Sequence, residues 1–119
     1  MDPTRMMLRL YFGPLMFGPG KADLLEGIAA EGSISAAGRR MGMSYKRAWS
    51  LVEEMNAGFA EPLVASARGG ARGGGAHLTE AGEEVLAAYR RLEARLATEG
   101  AAEIGAIGRH IRPDMSDEK

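Results

Sequence analysis

The 119-residue sequence predicts a mainly α-helical fold with a small β component. Three observations carry that prediction. Gly32 to Asn56, GSISAAGRRMGMSYKRAWSLVEEMN, reads as a helix, a glycine turn and a second helix. Two short apolar runs bracket the glycine-rich segment RGGARGGG from Arg68 to Gly75, which is the pattern of a hairpin. Glu80 to Thr98 repeats apolar residues at helical spacing.

A chain of this length is expected to form one domain. Its apolar share of 45% and charged share of 26% are those of a globular protein. Cysteine is absent, which removes disulfides and thiolate metal ligands. No apolar run approaches the ~18 residues of a membrane span. The opening MDPTRMMLRLYF lacks the long apolar region and small-residue cleavage site of a signal peptide. The expectation is a soluble cytoplasmic protein with no membrane partner.

In chain order, Met6 to Phe12 suits a strand, Gly13-Pro14 a turn and Leu15 to Phe17 a short return strand, before the second turn signal Gly18-Pro19-Gly20. Lys21 to Glu31 places Leu24, Leu25 and Ile28 at helical spacing, and Gly32 ends that helix. The next helix is built of small residues, Ser33, Ser35, Ala36, Ala37 and Gly38, which permit a close crossing with a neighbour. Gly42 follows Met41 where a left-handed residue stops the helix, and Met43 fills the corner. Ser44 is a preferred N-cap for the helix that follows. There Ala48, Val52 and Met55 form an inward stripe, while Tyr45, Lys46, Trp49 and Ser50, with Arg47 beside them, lie opposite. This is the anatomy of a helix-turn-helix, whose second helix enters the DNA major groove by its N-terminal residues.

Ala57-Gly58-Phe59 and Glu61-Pro62 interrupt the helical pattern; Leu63 to Ser66 and Ala76 to Leu78 suit the strands of a hairpin. A hairpin directly after a helix-turn-helix is a wing. Thr79 caps a further helix, with Glu80, Glu83 and Glu84 where carboxylates favour the helix dipole. Val85, Tyr89, Leu92 and Leu96 are spaced 4, 3 and 4, a seam for a partner helix. A second copy of the chain is the expected partner, with packing onto the chain's own core as the alternative. Residues 1–100 thus read as one winged helix-turn-helix unit with a dimerisation helix at about 80–98. Residues 101–119 read as a short, loose C-terminal tail in which AAEIGAIG receives no assignment.

Net charge is −1, but it is unevenly spread. Ser33 to Val52 holds four bases and no acid; Ser33 to Ala76 is net +3, so the remainder carries −4. Such segregation aims one face at phosphate. Lys46 and Arg47 suit guanine edges or phosphates. Tyr45 and Trp49 lie one turn apart and suit a thymine methyl or the sugar-phosphate backbone, with core filling as the alternative for Trp49. Ser33 and Ser35 suit phosphate contact or plain capping. Arg68 and Arg72, the charges of the glycine loop, suit the backbone or the minor groove. No P-loop, dinucleotide fingerprint, H-E-x-x-H or G-x-S-x-G motif is present, and His77 and His110 are far apart in sequence. No catalytic residue, cofactor or metal ligand is expected.

SISAAG, MSYKRAW and EEMN, together with the GG-x-x-GGG wing and LTEAG, resemble the DNA-binding domain of the ModE family of molybdate-responsive transcription regulators. The resemblance covers about Leu8 to Leu96, and the LysR-type winged helices are the wider relatives. It implies a homodimeric, sequence-specific regulator that binds double-stranded DNA. By position it implies contacts from Ser44, Tyr45, Lys46, Arg47, Trp49 and Ser50, aided by Arg68 and Arg72. Full-length members carry molybdate-binding domains after the long helix; about twenty residues follow Thr98 here, which argues against direct molybdate binding. A rival reading is an interaction module that pairs with, or titrates, a longer family member.

Overall fold

Gly13 and Pro14 turn the chain back on itself, so that β1 (Leu10–Phe12) pairs antiparallel with β2 (Leu15–Phe17), Leu10 opposite Phe17. The computed structural model describes residues 5–66 and 75–113. The first strand begins at Leu10 rather than Met6 because β2 offers only three partner residues before Gly18 and Pro19 break the ladder. Met6 and Met7 are left 38% and 45% exposed.

Helix α1 (Pro19–Glu31) starts two residues before Lys21. Proline suits the first helical turn, where its missing N–H has no partner to lose. Gly32 closes the helix in a left-handed conformation, its N–H bonded to the Ile28 carbonyl. Helix α2 (Ile34–Arg40) follows at once, then α3 (Tyr45–Gly58). Gly42 makes the turn between them at φ 74°, a conformation costly for any residue with a Cβ. The small-residue character of α2 serves the expected close crossing. A Cβ on Gly38 would stand 3.0 Å from the Ala48 Cβ, so the two helices meet at backbone distance. Helix α3 runs two residues past Asn56, through Ala57 and Gly58, and a Cβ on Gly58 would stand 2.7 Å from the Leu15 side chain.

Strands β3 (Val64–Ser66) and β4 (Ala76–Leu78) pair antiparallel, with Ala65 opposite His77. The pleat turns Ala76 and Leu78 inward and His77 outward. Helix α4 (Glu80–Glu99) follows, capped by Thr79, whose hydroxyl accepts from the Gly82 N–H. Ala101–Gly108, to which the sequence assigned no element, forms a short helix α5. The described residues therefore form a winged helix-turn-helix followed by a long helix.

The core lies under α1. Leu24, Leu25 and Ile28 are fully buried there, joined by Val52 and Met55 of α3 and by Leu63 before β3. Phe17 of the hairpin reaches this core edge-on to Phe59 and to Tyr89 of α4, at ring distances of 6.1 and 5.2 Å. Lys21 is 4% exposed, and its ammonium donates to the Met16 carbonyl (2.6 Å) and to Glu54 Oε2 (2.9 Å). A buried ammonium needs such partners. One lysine thereby ties hairpin, α1 and α3 together.

Candidate nucleic-acid interface

The second helix of the motif presents two unlike faces. Ala48, Leu51, Val52 and Met55 are all buried. Leu51 joins the inward stripe expected from the other three, because it falls on the same side of a helical wheel. On the outer side Tyr45, Lys46, Arg47 and Ser50 are exposed, Tyr45 by 57%. Ser44 caps the helix by accepting from the Arg47 N–H at 3.0 Å, which leaves the side chains of the first turn pointing away from the domain. Lys46 and Arg47 enter none of the ion pairs among the described residues. Two uncommitted cations at a helix start, on a face with an exposed tyrosine, suit an anionic groove-bearing partner.

Trp49 occupies both settings. It is half-buried against the core, stands edge-on to Tyr45 at 6.1 Å, and its indole N–H is buried without a hydrogen-bond partner among the described residues. Ser33 and Ser35 are half-buried with local bonds. Ser33 Oγ accepts from the Ala36 N–H and so caps α2, while Ser35 Oγ accepts from Arg39 at 2.9 Å. Arg40 lies 3.5 Å from Glu31, with both side chains about half exposed. Arg68 and Arg72 lie outside the described residues.

Sequence reasoning missed two side chains that tie the elements of the domain to one another. Asn56, near the end of α3, bonds to the stem of the wing at Leu63 and Val64. An asparagine just before a helix break is its only linear signal. Arg90 of α4 is a second. It donates to Asp23 (2.7 Å) and Glu26 (2.8 Å) of α1 and to Glu93 (3.0 Å). Burial opposes its charge, but the bonds to Asp23, Glu93 and Glu26 outweigh that and raise its pKa above the ordinary arginine value.

The four seam residues of α4 divide. Tyr89 is 3% exposed and its hydroxyl donates to the Leu8 carbonyl at 2.6 Å. Val85 packs against the same core. Leu92 is half-buried beside an apolar cleft that Leu10, Phe12 and Phe59 also line, whereas Leu96 is 39% exposed. Among the described residues there is no cluster of three His, Cys, Asp or Glu placed to hold a metal, and no helix long and apolar enough to cross a membrane.

Similarity to known proteins agrees with this geometry. The chain is 51% identical over 80 residues to the molybdenum-pterin-binding protein MopB of Rhodobacter capsulatus, a match that covers 67% of this chain and 30% of that protein. It is 47% identical over 70 residues to the molybdenum transport protein ModE of Azotobacter vinelandii, covering 59% and 26% of the two chains. It is 43% identical over 75 residues to the DNA-binding transcriptional dual regulator ModE of Escherichia coli, covering 63% and 29%. The matched stretch is thus less than a third of each relative. The sequence pattern of the bacterial regulatory helix-turn-helix proteins of the lysR family matches residues 21–83, from α1 to the start of α4, and takes in the exposed face of α3. A chain with that match, that fold and ModE-like identity across both belongs to the lysR family of bacterial regulatory helix-turn-helix proteins.

Proposed function

We propose that this chain is a non-catalytic, sequence-specific regulator that binds double-stranded DNA as a homodimer in the cytoplasm. The observation that carries the reading is the outer face of α3, where Tyr45, Lys46, Arg47 and Ser50 are exposed and neither cation is spent on an ion pair among the described residues. The face enters the major groove from its Ser44-capped end. Lys46 and Arg47 read base edges, and Tyr45 with the outer edge of Trp49 packs on the backbone or a thymine methyl. Ser33, Ser35, Arg39 and Arg40, with Arg68 and Arg72 from the wing, set affinity through phosphates.

Two recognition helices related by a twofold axis read half-sites ~34 Å apart or a multiple of it. Leu92 and Leu96 of α4 supply the contact between copies, flanked by Val85 and Tyr89. The names of the relatives support molybdenum-linked genes as targets, while a calorimetric titration of this chain with molybdate is expected to be flat.

Selection from a pool of random duplex DNA at two salt concentrations tests the reading. The expected result is an enriched pseudo-palindrome whose affinity falls steeply with salt. On that site Lys46→Ala and Arg47→Ala should each cost ~1–3 kcal/mol. Salt-sensitive binding without an enriched motif would replace specificity by a general architectural role. No binding at all would leave the rival reading, an interaction module that pairs with a longer family member.

A further inference from the structure

The stem of the wing is fastened to the helix-turn-helix from two sides. At the start of β3, Asn56 Oδ1 accepts from the N–H groups of Leu63, just before the strand (2.8 Å), and Val64 (3.2 Å), and Asn56 Nδ2 donates to the Val64 carbonyl (3.0 Å). A primary amide carries both a donor and an acceptor, so this one side chain satisfies both backbone groups of Val64 as a neighbouring strand would. On β4, the Ala76 N–H donates at 2.9 Å to the carbonyl of Gly32, the residue just before the Ser33 cap of α2. Among the described residues, Asn56 is the one side chain of the recognition helix hydrogen-bonded to the wing stem. It lies three turns along α3 from Tyr45 and makes its bonds to the protein, so it is no candidate for base readout.

We propose that Asn56 is a positioning residue for DNA binding, locking the wing stem to the recognition helix so that both meet the duplex in one register. This rests on the DNA-binding reading above. Two contact elements held at a fixed offset bind as one unit; released from each other, the second must be ordered anew at each encounter. Removing the lock therefore weakens the contacts made through the wing and leaves those of the first turn of α3 in place. An asparagine that only stabilised the fold would affect both alike.

The full chain and the duplex recovered by selection provide the test. Affinity and hydroxyl-radical footprints are measured for Asn56→Ala and for the milder Asn56→Asp, which keeps an acceptor for the two N–H groups. Each is made in the wild-type background and in one carrying Arg68→Ala and Arg72→Ala. Asn56→Ala should weaken binding about tenfold in the first background and less than about twofold in the second, since neighbours acting through one element are non-additive. Protection should disappear only from the flanking segment under the wing. Equal losses in both backgrounds, or protection fading uniformly, would overturn the proposal. If Asn56→Ala unfolds at the assay temperature, Asn56→Asp carries the same comparison with smaller losses. A wild-type chain that fails to bind any duplex overturns the DNA-binding reading, and this one with it; a wild-type chain that binds with a footprint indifferent to Asn56 overturns this one alone.

Discussion

The two halves of α4 carry one apolar repeat and meet opposite surroundings. In the first half Tyr89 is 3% exposed, stands edge-on to Phe17 and bonds to the Leu8 carbonyl, while Arg90 grips Asp23 and Glu26 of α1. In the second half Leu96 is 39% exposed, and the ion pair there, Arg95 to Glu99 at 3.9 Å, has side chains 73% and 72% exposed. Periodicity marks an apolar face without naming what covers it. Here the domain itself covers the first half, and the second is left to whatever else the helix meets.

The largest expected effect lies at the held end. Tyr89→Ala removes a buried ring from the contact with Phe17 and should destabilise the fold by ~3–5 kcal/mol in chemical denaturation. A cost near that of an exposed residue would break the comparison. Leu92→Glu comes next. Placed where the two settings meet, it should abolish self-association in sedimentation while the monomer stays folded; an unchanged dimer would move the interface away from α4, most directly to the exposed Met6–Phe12 segment.

Arg90→Ala follows, with a cost of about 1 kcal/mol, because the guanidinium is 33% exposed and solvent screens its pairs. That cost should shrink as salt is added. Tyr89→Phe keeps the ring and deletes only its bond to Leu8, for about 1 kcal/mol. It also isolates a pH effect. Burial, reinforced by Glu93, raises the Tyr89 pKa above its ordinary value of 10.0. A raised folded-state pKa gives stability that is complete below about pH 10 and is lost as pH climbs through the folded value. Wild type should therefore lose stability in alkali that Tyr89→Phe does not lose. The smallest effect belongs to the free end: Leu96→Ala should change monomer stability by no more than ~0.5 kcal/mol.

Much of the fold was legible in the linear pattern, for local reasons. Ser33, Ser44 and Thr79 all cap helices as their side chains suggested, because a cap bonds a backbone N–H only two or three residues away. Gly42 takes the left-handed turn that its place after Met41 required. The exposed face of α3 was legible for the same reason, since the residues opposite a buried stripe are fixed by helix geometry. The strand start at Leu10, the first turn of α1 and the helix at Ala101–Gly108 were not, because each boundary depends on what a neighbour offers.

The sequence by itself determined where α2, α3 and α4, the turn between α2 and α3 and the wing strands lie, and which side of α3 carries Tyr45, Lys46, Arg47 and Ser50. Those features rest on interactions spanning a few residues, which are written in order along the chain. Only the tertiary structure decided that Lys21 is buried against Glu54, that Asn56 holds Val64, that Arg90 reaches Asp23 across 67 positions, and that Tyr89 closes on Leu8 across 81. Each of these joins a polar atom to a partner far away in sequence. Such a bond exists only once the core under α1 has brought both ends out of water, where an unmatched polar group is costly and the matching one becomes decisive.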